Sequence, residues 1–217
     1  MIEICDLGIC GYDDVLRAQT VMMRKRIEKE IPDTLIMVEH EPVVTLGRVT
    51  EENTIVDRSF FEKRSIPVVR TGRGGKITYH APGQLVLYPV VDLREKKKDI
   101  SFYIDFLERV VAESLRQLGI PAGRNVKKRG VWVCGKKIAF IGIAVKQWVT
   151  YHGLSVNINN DIAAFSAMHP CGEKDIEVTS ARRYLGRELD MVEVKKVFAE
   201  QFAEDLRNEY ARVQLAA

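Results

Sequence analysis

The stretch GVWVCGKKIAFIGIAVKQWVTYHGLSVNI, residues 130–158, reads as three consecutive strands. Valine, isoleucine and aromatic residues recur in short runs, as a pleated, half-buried surface requires. Cys134-Gly135 separates the first two runs as a tight turn, and turns that short join antiparallel neighbours. The expected strands are GVWV (130–133), KIAFIGIAV (137–145) and WVTYHGLSVNI (148–158). Upstream, TLIMVEH (34–40) reads as a strand and PVVTLG (42–47) as a strand or loop. IPVVRT (66–71), GKITYH (75–80) and LVLYPVVDL (85–93) are three further β-rich runs.

Helical periods interrupt these runs. From Asp13 to Glu30, Val15, Leu16, Ala18, Val21, Met22 and Ile27 keep a 3.6-residue spacing, with Asp13 or Asp14 as the expected cap and Pro32 as the stop. Ser101 to Leu118 is amphipathic and is stopped by Gly119 and Pro121. Short helices are expected over 161–168 and from Thr179/Ser180 to Leu185. A last one starts like a capping box at Asp190-x-x-Glu193, with Val194, Val197, Phe198, Phe202, Leu206 and Tyr210 on one face. The pattern predicts an α+β fold, a mixed and largely antiparallel sheet flanked by helices.

Bulk properties narrow the function classes. The 217 residues are 46% hydrophobic and 29% charged, which suits one globular domain over residues 1–217 with a core of its own. The net charge of +3 is too small for a protein that coats nucleic acid. No run of about 20 apolar residues is present, and MIEICDLGIC lacks the basic and apolar regions of a signal peptide. A cytoplasmic protein is expected, with neither membrane nor nucleic acid as partner. Cys5, Cys10, Cys134 and Cys171 form no CxxC pair, and with His40, His80, His152 and His169 they give no zinc-ligand spacing, so no metal site is expected.

Three places can carry chemistry. In RTGRGGKITYHAPGQLVLYP (70–89), Gly72, Gly74 and Gly75 bare backbone N–H groups beside Arg70 and Arg73, and His80 precedes a rigid Ala81-Pro82-Gly83-Gln84 turn. No helix follows, so this is neither a dinucleotide fingerprint nor a P-loop; it is a hairpin with structural glycines or a grip on a carbonyl or anionic oxygen. Cys171, between Pro170 and Gly172, stands on a turn outside any periodic element, where a thiol is inert or reactive according to its surroundings. Lys137 opens an alternating strand, either as a solvated tip like Lys136 or turned into a cleft, where an ammonium favours a neighbouring thiolate.

These pieces together resemble the LipB-type octanoyltransferases, the lipoyl(octanoyl) transferases of the lipoate/biotin protein ligase superfamily. The matching words are EHEPVVTLGR (39–48), RGGKITYHAPGQLVLYPVVDL (73–93), GVWVCGKKIAFIGIAV (130–145), TYHGLSVNINND (150–161) and PCG with VTS (170–172, 178–180), in the family's order. The resemblance implies the mixed-sheet ligase module as the fold. It makes Cys171 the acyl-thioester nucleophile and Lys137 the group that favours its thiolate and shuttles protons. It implies that Arg73, Gly74, Gly75, Lys76, Ile77, Thr78, Tyr79 and His80 line the acyl-substrate site, with Phe140, Ile141, Gly142, Gly153, Leu154 and Ser155. The donor would be octanoyl-acyl carrier protein. The acceptors would be lipoyl domains of 2-oxoacid dehydrogenase complexes and the glycine cleavage H protein. No cofactor is implied, because a thioester is already activated and its transfer to an amine is downhill without ATP or metal.

The chain departs from the family at Ala81, where glycine is common, at His169, where a non-titrating residue is usual, and at Glu173, where an apolar residue is commoner. Backbone N–H groups around Gly74–Gly75 or Cys171–Gly172 are the expected oxyanion donors. Lys127, Lys128, Arg129, Arg182 and Arg183 are either a solvated face or a patch that steers acidic partners. Two other readings stay open: an ATP-dependent lipoate–protein ligase, which would not need Cys171, and a non-catalytic binding module of the same fold.

Overall fold

Two turns with left-handed backbone fold residues 131–157 back on themselves. The computed structural model describes residues 2–51, 54–125, 127–173 and 175–215, with side chains as far as residue 209. Cys134 (φ 48°) and Gly135 (φ 77°) join β8 (Val131–Val133) to β9 (Lys136–Lys146), and Gln147 (φ 49°) and Trp148 (φ 65°) join β9 to β10 (Val149–Asn157). Positive φ at both central residues is the geometry that matches strand twist in a two-residue hairpin. Trp148, expected in the strand, belongs to the second turn.

The hairpins sit in a seven-stranded sheet of order β1-β2-β6-β10-β9-β8-β7, with β1 (Glu3–Cys10), β2 (Thr34–His40), β6 (Gln84–Val90) and β7 (Gly123–Arg124). Within this sheet β1 and β2 run parallel and the other neighbouring pairs are antiparallel. The sequence reading had no strand at β1. A smaller sheet of order β4-β3-β5 combines β4 (Val68–Arg70), β3 (Val43–Leu46) and β5 (Ile77–His80).

Both faces of the large sheet are covered, so its central strands alternate between two buried surfaces rather than between core and water. Leu35, Met37, Leu85 and Leu87 pack with Leu107, Val111 and Leu115 of α3 (Ile100–Gln117) and Phe198 and Phe202 of α5 (Met191–Leu215). Ile36, Val38, Val86 and Tyr88 face Val15 and Met23 of α1 (Tyr12–Ile27). A third apolar cluster joins the small sheet to Phe140 of β9 and to Phe165, Met168 and Cys171.

Helix ends account for most local differences from the expectations. Gly11, not an aspartate, caps α1 and makes no side-chain cap; Asp13 and Asp14 lie in the first turn, where negative charge opposes the helix dipole. The helix stops at Ile27, five residues before Pro32, because Lys29 takes a left-handed φ of 63° and Glu30 N–H returns to Lys25 C=O. Asp57 and Asp99 cap α2 (Arg58–Glu62) and α3, and Ser180 caps α4 (Ala181–Leu185), which Gly186 ends at φ 71°. Before α5, the Asp190 carboxylate accepts from Val192 N–H. The 161–168 helix is a 3₁₀ turn over Ala163–Ala167. The Tyr210 side chain, expected on the buried face of α5, lies outside the described residues. Among the described residues, no helix is long and apolar enough to cross a membrane.

Candidate active site

Lys137 is set by three neighbours. Its backbone is gripped by a returning segment, with Lys137 N–H donating to Glu177 C=O and Thr179 N–H donating to Lys137 C=O. Its side chain crosses Gly130, where an added Cβ would lie 2.5 Å from Lys137 Cε; the φ of 104° there also requires glycine. Its ammonium ends 5.5 Å from the Trp132 ring, 5.0 Å from the Phe140 ring and 3.2 Å from Cys171 Sγ. Lys137 is 4% exposed, and among the described residues no carboxylate lies within ion-pair distance of it. The neighbouring Lys136 faces outward and pairs with Glu177 at 2.7 Å, so the two lysines take the two roles that strand alternation offers.

Cys171 sits in a 3₁₀ turn over Pro170–Gly172 with left-handed backbone, φ 57°. A non-glycine residue held there is strained by about 1–3 kcal/mol. The surroundings hold it: His169 N–H donates to Thr54 C=O, Gly172 N–H to His169 C=O and Glu173 N–H to Pro170 C=O. The His169 ring makes no hydrogen bond to the thiol. Glu173 instead pairs with Lys128 at 2.8 Å. Two expected oxyanion donors are already engaged, since Gly172 N–H is taken by His169 and Gly74 N–H donates to Ile143 C=O at 2.8 Å.

Cys171 and Lys137 open into a cavity of about 370 Å³. Its wall includes Arg73, Gly75, Lys76, Ile77, Thr78 and His80 from the glycine-rich stretch, and Phe140, Ile141, Gly142, Gly153, Leu154 and Ser155 from β9 and β10. Gly74 and Tyr79 lie outside that wall; Tyr79 turns the other way, edge-on to Phe165 at 6.1 Å between ring centres. The sequence reading missed Tyr12, Val86, Tyr88 and His152 as further wall residues. Tyr12 and Tyr88 belong to an apolar helix period and a strand alternation, and neither pattern marks a cavity.

Arg73 is the second buried cation of this site. Its guanidinium donates to Thr45 C=O at 2.6 Å, to Thr45 Oγ1 and to Gly74 C=O, with no carboxylate within ion-pair distance among the described residues. Burial pulls its pKa down from the usual arginine range. The imidazoles around it are neutral. Gln84 Nε2 donates to Tyr79 C=O and Asn157 Oδ1, so its Oε1 accepts from His80 Nδ1 at 2.7 Å and fixes that tautomer. His40 donates from Nδ1 to Cys10 C=O and accepts the Tyr88 hydroxyl proton at Nε2. Burial lowers His40 and His152 to about 4 and takes His80 well below 6.5. The site therefore presents two buried cations and a thiol to an apolar slot, an arrangement that favours negative charge on sulfur or on a carbonyl oxygen.

Residues 12–203 match the family model of the lipoyl protein ligase A/B catalytic domain. The chain belongs to that family. An octanoyltransferase of Caldicellulosiruptor bescii is 42% identical over 212 residues, 94% of this chain and 93% of its own length. One from Syntrophobacter fumaroxidans is 39% identical over 90% of this chain and 86% of its own. Among solved structures, the bipartite lipoate protein ligase of Thermoplasma acidophilum, described with its E2 lipoyl domain, superposes with a TM-score of 0.73 at 19% identity, covering 94% of this chain and 83% of that one. At that identity the likeness shows the ligase fold, a mixed sheet flanked by helices. The sequence relatives place the chain on the octanoyltransferase side of the family, among acyltransferases.

Proposed function

We propose that the chain transfers an octanoyl group from the thioester of an acyl carrier protein to a lysine of a lipoyl domain, through a thioester on Cys171. The observation that carries this reading is the 3.2 Å approach of the buried Lys137 ammonium to Cys171 Sγ. An ammonium without a carboxylate partner is costly to bury, and a thiolate beside it supplies the balancing charge.

In the first half-reaction the Cys171 thiolate attacks the donor carbonyl carbon, and the carbonyl π electrons move to oxygen. The oxyanion collapses, the carbon–sulfur bond to the carrier breaks, and the departing thiolate takes a proton from Lys137. In the second, the acceptor amine attacks the Cys171 thioester, Cys171 leaves as thiolate, and the amine proton passes to Lys137. Splitting the transfer in this way leaves a near-balanced thioester exchange followed by a downhill step that forms the amide. Phe140, Ile141, Leu154 and Ile77 supply apolar wall for the chain, and Arg73 supplies positive potential near the carbonyl. Lipoyl domains of 2-oxoacid dehydrogenase complexes and the glycine cleavage H protein are the proposed acceptors, and the cytoplasm the place of action.

Intact-protein mass spectrometry tests the reading. Mixing with octanoyl-acyl carrier protein in the absence of ATP is expected to add one octanoyl to wild type and none to Cys171→Ala. Modification of a lipoyl domain that instead requires free octanoate and ATP would show a ligase.

A further inference from the structure

The basic residues that the sequence offered for steering are mostly neutralised by ion pairs. Lys128 pairs with Glu173, Arg129 with Asp105 and Glu108, and Arg182 with Glu188 at 3.0 Å. Arg48, Arg58 and Arg70 differ: all three are exposed, and none has a carboxylate within ion-pair distance among the described residues. Arg58 and Arg70 flank a groove of about 360 Å³ floored by Leu46, Ile55 and Val68, with Glu51 on its edge.

This groove adjoins the cavity mouth on two sides. Val49 lies in the cavity wall between Leu46 and Glu51 in sequence, and Glu51 reaches Lys76 of the same wall at 3.6 Å, which leaves the groove's own carboxylate engaged. On the other side Ile55 pairs with Met168, three residues before Cys171, and Val56 and Asp57 N–H groups both donate to Ala167 C=O. Backbone pairing thus ties one wall of the groove to the segment that leads into the nucleophile turn.

We infer that this groove docks the lysine-bearing acceptor protein, through an acidic surface beside its lysine; the inference rests on the transfer reading above. Unpaired arginines around an apolar floor call for carboxylates around an apolar contact. Reach decides between acceptor and donor. A lysine amine stands only about 6 Å from its own Cα, so the acceptor surface must seat on the rim of the mouth. A thioester carried on a long flexible arm imposes no such closeness on its carrier. Arg48, exposed and next in sequence to Val49 of the cavity wall, adds a further positive charge to this side.

The test uses the full chain with Arg58→Glu and Arg70→Glu together, and Arg58→Gln with Arg70→Gln as the milder pair, both checked by thermal unfolding. Acceptor kinetics are measured with an apo lipoyl domain at low and high salt. Loading of Cys171 is followed by mass with octanoyl-pantetheine and with octanoyl-acyl carrier protein. Charge reversal is expected to raise the lipoyl-domain KM about tenfold at low salt, flatten its salt dependence and leave kcat and both loading rates unchanged. Unchanged KM and salt slope would overturn the assignment. Slower loading from the carrier alone would assign the groove to the donor instead. Wild type that loads no octanoyl would remove the transfer reading itself, a result distinct from either.

Discussion

Gly130 shows how closely the site depends on residues that do no chemistry. Its missing side chain leaves room for the Lys137 stem, and that stem brings the ammonium to Cys171. Replacing Cys171 by Ala is expected to abolish transfer, whereas Cys5→Ala, Cys10→Ala and Cys134→Ala keep most activity, because none of those thiols lines the cavity; steady-state rates with a lipoyl domain check this. Lys137→Met is expected to lower activity by orders of magnitude and to slow iodoacetamide alkylation of Cys171, because it removes the ammonium 3.2 Å from Sγ. Lys136→Met, paired outward with Glu177, should change neither. Identical alkylation rates for wild type and Lys137→Met would remove Lys137 from its role. Cys171 was legible as a candidate because proline and glycine set it on a turn, but the residues alone left it inert or reactive, and only the resemblance singled it out. His152 was not, because its φ of 55° turns the ring beside Tyr88 and Tyr151 into a wall that strand alternation does not foretell.

At the level of elements, turn chemistry separates what could be read from what could not. Cys134-Gly135 carries the glycine that a left-handed turn favours, whereas Gln147-Trp148 takes the same geometry with neither glycine nor asparagine, so Trp148 read as strand. The α1 end is similar, since Lys29 does the work usually done by glycine. β1 escaped notice because it is an edge strand with exposed Ile4 and Ile9 and a register shift between Asp6 and Ile9. Long periodic elements were plain. Phe198 of α5, fully buried among α3 and the sheet and outside the cavity wall, is expected to cost about 3–5 kcal/mol on truncation to Ala. Urea midpoints check the loss, and kcat of the folded fraction should stay at the wild-type value.

On the scale of the whole molecule, the buried imidazoles link folding to pH. His40 and His152 titrate at about 4 in the folded chain and His80 well below 6.5, against about 6.5 once unfolded. Between those limits the unfolded chain binds more protons than the folded one, so stability is complete above about pH 6.5 and falls as pH drops toward 4. Each imidazole that stays neutral contributes a slope of about 1.4 kcal/mol per pH unit in that window. Urea titrations from pH 7 to 5 should show the fall, and His152→Phe should flatten it if the variant keeps its fold. Of the buried cations, Arg73 and Lys137 face the cavity that holds the thiol, and the proposed transfer stands on what that thiol carries. The most direct measurement is a single turnover from isolated octanoyl-enzyme, freed of donor and mixed with apo lipoyl domain without ATP. The octanoyl group should leave Cys171 and appear on the domain's lysine with a rate constant at least equal to kcat. An octanoyl-enzyme that keeps its acyl group, or passes it on far more slowly than kcat, would contradict a Cys171 thioester on the reaction path.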